Sequence, residues 1–251
     1  LIPIISILHR DVIKTEAETV GIVFPIYLAS IPIPVSHFLD KVDTGSVQYL
    51  FAVATRIGTF HSADVTIAKI LRRKGSALSA FFNLNMASNS PCGLVPKVPG
   101  FEKMVNEWTD RISHEKVFQL EAVVQKRIGF IIDTVIKCGK HRDERSLLQL
   151  AIKHLALIFI RKTYSDNPIP YYTDATCTGC GICEKVCPSG KVKIVNKLPT
   201  WKKEIPCYVC FACFNCCPQQ SILIKGRYTM KKGRYIHPEI SVDDIVRQKT
   251  C

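Results

Sequence analysis

No stretch of this chain approaches the ~18 uninterrupted apolar residues that a membrane-spanning helix requires. The nearest candidates are Val20–Val35, broken by Pro25, Pro32 and Pro34, and Leu147–Ile160, interrupted by Lys153 and His154. No charged segment with a small-residue cleavage site follows Leu1, so no secretory leader is visible and a cytoplasmic location is expected. Acidic residues are scarce, 21 against 34 Lys and Arg, which leaves a formal charge of +13. No grouping of His, Ser and carboxylates suggests acid–base or nucleophilic catalysis, and no substrate site is assigned. With 47% hydrophobic and 22% charged residues the composition is that of an ordinary globular protein and excludes a disordered tail. A length of 251 residues corresponds to one or two domains.

Cysteine, by contrast, is abundant. Nine of the twelve cysteines fall between Cys177 and Cys217, eight of them in two runs. The first reads Cys177-Thr-Gly-Cys180-Gly-Ile-Cys183-Glu-Lys-Val-Cys187-Pro188. The second reads Cys207-Tyr-Val-Cys210-Phe-Ala-Cys213-Phe-Asn-Cys216-Cys217-Pro218, and it repeats the first at an offset of thirty residues. Both fit C-x2-C-x2-C-x3-C-P, the spacing that holds two [4Fe–4S] cubanes. Three thiolates two residues apart wrap a tight loop over three iron corners, and the fourth ligand arrives from the other run. The expected sets are therefore Cys177, Cys180, Cys183 and Cys217 for one cluster, and Cys207, Cys210, Cys213 and Cys187 for the other. A zinc ribbon leaves no role for the third cysteine and the Cys-Pro of each run. A disulfide framework needs an oxidising compartment. Cys216 reads as a small buried hydrophobe, and Cys92, Cys138 and Cys251 carry no assigned role.

Eight thiolates around two cores of about +2 each carry roughly −4, so the loaded protein stays basic, near +9. The basic residues are dispersed, as in Arg72-Arg73-Lys74 and Lys202-Lys203, with no aromatic-basic motif to organise them. Nucleic acid is not expected as a partner; the basic surface reads as facing an acidic redox protein or as plainly solvated.

Short β-branched segments follow the cysteine runs, Val192–Val195 and Ile222–Ile224, so each half reads as loop, short helix and strand. Thr163–Pro170 has the composition of a linker, and His237 reads as a surface or tail-packing histidine. In the first half, Val20–Phe24, Tyr49–Thr55 and Ala77–Phe82 read as strands, alternating with amphipathic helices over Pro34–Val42 and Asp64–Lys74. Gly75 suits the cap of the second helix. This alternation implies a parallel sheet with helices on both faces, which binds ligands beyond the carboxyl ends of its strands, at the point where strand order reverses. The loops Pro25–Pro32 and Thr55–Thr59 sit at those ends, with Tyr27 as a stacking face for a flat aromatic ligand and Gly58 permitting close approach. An equally weighted account makes Pro25-Ile-Tyr27 a strand end with a half-buried tyrosine. From Phe101 to Lys162 the pattern is helical, with Trp108, Ile112, Val123, Ile128, Ile131, Ile132 and Val135 as the apolar positions. The expected division is 1–100 for the α/β part, 101–162 for a helical connector between the domains, and 163–251 for the cysteine-rich part.

Val20–Pro32, Phe51–Thr55, the double cysteine run and Arg234–Ile240 resemble the EFR-type ferrodoxin family, in which a flavodoxin-like domain precedes a two-[4Fe–4S] ferredoxin domain. The resemblance implies a 2-1-3-4-5 sheet, an FMN site contacted by Pro25, Tyr27, Thr55 and Gly58, and electron transfer in an anaerobic prokaryote. One departure matters: the Ser/Thr-Gly-rich loop that holds the FMN phosphate in such proteins does not occur here. Leu1–Ile5 is similar to the family's second strand, which aligns this chain without the first strand and its loop. Residues 1–8 are accordingly expected to pair poorly or to leave a gap beside Val20–Phe24, and FMN to bind weakly. The leading functional reading is a modular electron carrier in which FMN, exchanging two electrons or one, is joined to one-electron cubanes. The alternatives are a flavin-dependent oxidoreductase of a small acceptor, and a sensor that reads cluster oxidation through its basic surface.

Anaerobic preparation is expected to give brown protein with about eight irons and eight sulfides per chain and a paramagnetic signal after dithionite. Colourless protein containing only zinc would refute the iron–sulfur reading.

Overall fold

The computed structural model describes residues 1–57, 61–87, 112–143, 169–225 and 234–249. The elements of its first part are α1 (Ile4–Ile7), β1 (Thr19–Pro25), α2 (Ile33–Lys41), β2 (Tyr49–Arg56), α3 (Ala63–Arg73), β3 (Ala80–Asn85), α4 (His114–Ile136) and β4 (His141–Arg142). The four strands form one parallel sheet in the order β1-β2-β3-β4.

Alternating side chains explain why both faces of this sheet are covered. From β2, Leu50, Ala52 and Ala54 point into a core shared with Val35, Phe38 and Leu39 of α2 and Ile67, Ile70 and Leu71 of α3. Tyr49 and Val53 of the same strand point the other way, into a second core with Phe82 and Leu84 of β3 and Val124 and Ile131 of α4. Pro34 in the first turn of α2 has no amide to lose there, and Gly75, at φ +70°, follows the end of α3 as its left-handed cap. Lys74 then reaches across to the C-terminal carbonyls of α2, with Nζ donating to the oxygens of Leu39 (3.0 Å), Asp40 (2.9 Å) and Val42. Part of the basic Arg-Arg-Lys run is thus a helix-to-helix clasp.

Several expectations are revised. The third strand begins three residues later than Ala77, because Ser79 bonds the backbone of Leu50 and ladder pairing starts at Ala80. Residues Ile4–Ile7 form one helical turn that packs on the first core, so the strand expected at Leu1–Ile5 is absent. Among the described residues β1 pairs only with β2, in line with the expectation that residues 1–8 do not pair beside Val20–Phe24, and the strands follow chain order. Residues 114–142 do more than connect. Helix α4 covers the second face of the sheet, and β4 extends the sheet by pairing Ala80 with His141 and Phe81 with Arg142. Within α4, Ile131 is buried, whereas Val123 and Ile132 face solvent. Gly58, Cys92, Trp108, Cys251, the run Leu147–Ile160 and residues 163–168 of the expected linker lie outside the described residues.

Strand β4 is short and is held by side chains. The His141 ring stacks on Phe82 at 4.9 Å, and Asp143 receives Arg127, His141 Nε2 (3.0 Å) and the Asn83 amide (2.5 Å). Burial pushes the Asp143 carboxyl up, but the hydrogen bonds from His141, Asn83 and Arg127 outweigh it and hold the group below its ordinary range.

The second part contains β5 (Tyr171–Thr173), α5 (Ile182–Lys185), β6 (Val192–Val195), β7 (Leu198–Trp201), α6 (Ala212–Asn215), β8 (Ile222–Ile224) and α7 (Val242–Arg247). Strands β5 and β8 pair antiparallel, as do β6 and β7. The latter pair turns through Asn196 and Lys197, both at positive φ, the geometry of a two-residue type I′ hairpin. Ser241 caps α7 in a reciprocal capping box with Asp244. No helix among the described residues is long and apolar enough to cross a membrane.

Phe82→Ala is expected to cost about 3–5 kcal/mol in urea unfolding, because the ring is fully buried between sheet and α4. Asp143→Asn is expected to cost about 1–3 kcal/mol at neutral pH. A carboxyl depressed in the folded state stabilises above its unfolded pKa and loses that effect as pH falls through the folded value. The gap between wild type and Asp143→Asn should therefore close in acid.

Candidate metal centre

The offset of thirty residues in the sequence becomes an offset of thirty in the backbone. Helix α6 is α5 displaced by thirty positions, and left-handed residues recur at Gly179 and Val209, Gly181 and Phe211, and Gly190 and Gln220. Such residues bend the loop between cysteines so that successive amides face inward. Glycine adopts this conformation freely in the first run, whereas Val209 and Phe211 do so at a cost of order 1–3 kcal/mol each. Gly179 is doubly constrained: φ is +68°, and a Cβ there would lie 2.4 Å from the Lys197 carbonyl oxygen. Tyr171 and Trp201, also thirty apart, stack at 5.4 Å across the junction of the halves.

The eight cysteines of the two runs gather around two small cavities. Cys177, Cys180, Cys183 and Cys217 line one, together with Ile182, Pro199 and Pro218. Cys187, Cys207, Cys210 and Cys213 line the other, together with Pro188, Trp201 and Phe211. The fourth sulfur of each group thus comes from the opposite run. Among the described residues no three His, Cys, Asp or Glu side chains converge as the ligands of a single metal ion do.

Burial dominates the acidities. It pushes the thiol of Cys183 up to about 11 and that of Cys210 up to about 12, and nearby thiols add to the effect. Cys213 and Cys207 are raised by the same cause. Amide donors oppose it, from Glu184 at Cys183, Val209 at Cys207 and Ala212 at Cys210. At Cys217 burial also raises the value, but the Ser221 hydroxyl (3.3 Å) and the amides of Ser221, Ile222 and Gln219 more than offset it. These sulfurs require a cationic core to remain ionised. Cys216 is buried beside Cys217 and lines neither cavity, while Cys138 is exposed.

A cleft of about 640 Å³ opens between the carboxyl ends of the parallel strands and the second cysteine group. Pro25, Tyr27 and Thr55 line one wall, with Arg56 and Met86; Pro188, Cys210 and Phe211 line the opposite one. Tyr27 and Ser30 exchange backbone hydrogen bonds (3.1 and 2.9 Å) around Leu28 and Ala29, both at positive φ, so the loop is a tight, strained turn. His237 packs the tail against the sheet part through Glu121 of α4 at 2.7 Å.

Two cationic residues near the cysteines carry no signal in the cysteine pattern. Lys191, 4% exposed, lines the second cavity, and Arg234 enters from the tail. A lysine beside a short strand and an arginine in a basic tail read as surface residues, and only the fold turns them inward.

A family profile described as a 4Fe-4S binding domain matches residues 170–190, which span the first cysteine run. No curated protein and no solved structure matches the chain. Gly179→Ala is expected to reduce bound iron at the first cavity by at least half, measured as iron per chain. Full iron occupancy in that variant would show that the loop tolerates the displacement. The chain thus contains a ferredoxin-like iron–sulfur region, with a 4Fe-4S binding domain over Cys177–Cys187.

Proposed function

We propose that the chain is an electron-transfer protein in which both cysteine groups hold [4Fe–4S] clusters and the cleft beside the second group receives a flavin such as FMN. The observation that carries this reading is the sorting of eight thiols into two separate, crossed sets, one of which adjoins a cleft at the ends of a parallel sheet. A cubane supplies one-electron chemistry and a flavin either one- or two-electron chemistry.

The chain's own residues supply the setting. The thiols of Cys177, Cys180, Cys183 and Cys217, and those of Cys187, Cys207, Cys210 and Cys213, hold the two cores, and their amide donors spread the negative charge. Phe211 and Phe214, both nearly fully buried, and the Tyr171–Trp201 stack keep water from the sulfurs. Cys210, Pro188 and Phe211 lie on the wall of the cleft and also on the wall of the second cavity, so the second set is the one next to the cleft. The cleft's volume falls within the usual range for small-molecule sites, and Tyr27 offers a ring face to an aromatic ligand. No phosphate-binding glycine loop precedes a helix in these residues, so the sheet part is suited to holding a ring more than a phosphate.

Flavin titration of the 251-residue chain tests the cleft. FMN and riboflavin are expected to bind with similar, weak affinity, and Tyr27→Ala to weaken both by about tenfold, a change of ~1.4 kcal/mol. Tight binding that depends on the phosphate, or binding indifferent to Tyr27, would contradict this placement. Electron transfer itself is tested by stopped-flow oxidation of the reduced protein with a one-electron acceptor, where two electrons per chain are expected.

A further inference from the structure

The two cysteine sets are equivalent in backbone but not in the charges beside them. Lys191 stands four residues after Cys187, where the second run has Ser221 four residues after Cys217. Both side chains are buried, yet one is a cation and the other a hydroxyl. The Lys191 ammonium donates to the carbonyl oxygens of Lys202 (2.5 Å) and Ile205 (2.6 Å), and among the described residues no carboxylate lies within ion-pair distance of it. It lines the cavity of Cys187, Cys207, Cys210 and Cys213. The first set receives its cation from elsewhere. Arg234 donates to the carbonyl oxygens of Phe214, Gln220 (2.7 Å) and Ile222 (2.6 Å), which bracket Cys217, and its guanidinium lies 3.8 Å over the Phe214 ring. The ionisable groups near Arg234 are Cys217, Cys213 and Asp174.

Burying a cation against neutral carbonyls is costly unless an anion compensates. Four thiolates around a core of about +2 leave roughly −2, and one added electron makes that roughly −3. A fixed cation in a low-dielectric setting stabilises the more negative state more strongly. We propose that Lys191 and Arg234 are the counter-cations of the two centres, Lys191 for the set next to the cleft and Arg234 for the set bracketing Cys217, and that each makes its own centre easier to reduce. Both act through charge as positioning residues and touch no transferred group. This proposal rests on the two-cluster reading above.

The test is a redox titration of the intact holoprotein followed by EPR, after iron and sulfide analysis of every variant. Lys191→Gln and Arg234→Gln should each make reduction of one centre about tenfold less favourable, a fall of about 59 mV for one electron, and the two variants should act on different signals. The charge-keeping variants Lys191→Arg and Arg234→Lys should stay within about twofold of wild type. Selective loss of iron from a glutamine variant but not from its charge-keeping partner also supports the assignment. Unchanged potentials in both glutamine variants, or equal changes in neutral and charge-keeping variants, would overturn it. So would loss of iron from both members of a pair, which would make the residue a structural clamp. Four irons in the wild type would instead refute the two-cluster reading, and the same titration would then decide which cation serves the remaining centre.

Discussion

Crowding eight thiols around two small cavities, with Cys183, Cys187 and Cys213 buried, sets the terms for the cysteine-rich part of this protein. Burial raises the pKa values of Cys183, Cys207, Cys210 and Cys213, so without compensation these sulfurs remain protonated. Compensation comes in layers. Left-handed turns at Gly179, Gly181, Val209 and Phe211 turn amides inward, Ser221 donates to Cys217, and Lys191 and Arg234 bring full positive charges from outside the cysteine runs. Strain at Val209 and Phe211 persists because the surrounding aromatic core over-determines the loop.

The small size of the second part makes this gathering structural as well as chemical. Its core is built from Ile169, Val192, Phe211, Phe214, Ile222 and Ile224, with Cys183, Cys187 and Cys213 among the same buried residues. Its sheets are pairs of three- and four-residue strands, too short to stand alone in water. Each half donates its last cysteine to the other half's cavity, so the two clusters proposed above would cross-link the halves and couple metal binding to folding.

The first part solves a different problem. Its parallel strands are covered on both faces, and their carboxyl ends are left free to line the cleft. The tail links the two parts: Arg234 reaches the carbonyls around Cys217, His237 reaches Glu121 of α4, and Ile240 and Ile245 line the cleft itself. One short segment therefore contacts the cysteine loops, the sheet part and the space between them.

Spacing alone was sufficient for the cysteine loops, because C-x2-C-x2-C-x3-C-P is a local geometric requirement that chain order expresses directly. The alternating apolar runs were sufficient for β1, β2, α2 and α3, whose burial follows their own periodicity. Other features were invisible in one dimension. Strand β4 has two residues and exists through Arg127, His141 and Asp143; Ile4–Ile7, apolar enough for a strand, coils because Ser6 and Ile7 bury against the first core. The inward course of Lys191 and Arg234 depends on carbonyls distant in sequence, at Ile205 and Phe214. What the residues determined by themselves was the grouping of the eight cysteines and the periods of β1, β2, α2 and α3. Which cations stand beside the sulfurs, and which set borders the cleft, was decided by tertiary packing, since both depend on contacts between segments that carry no mark of one another.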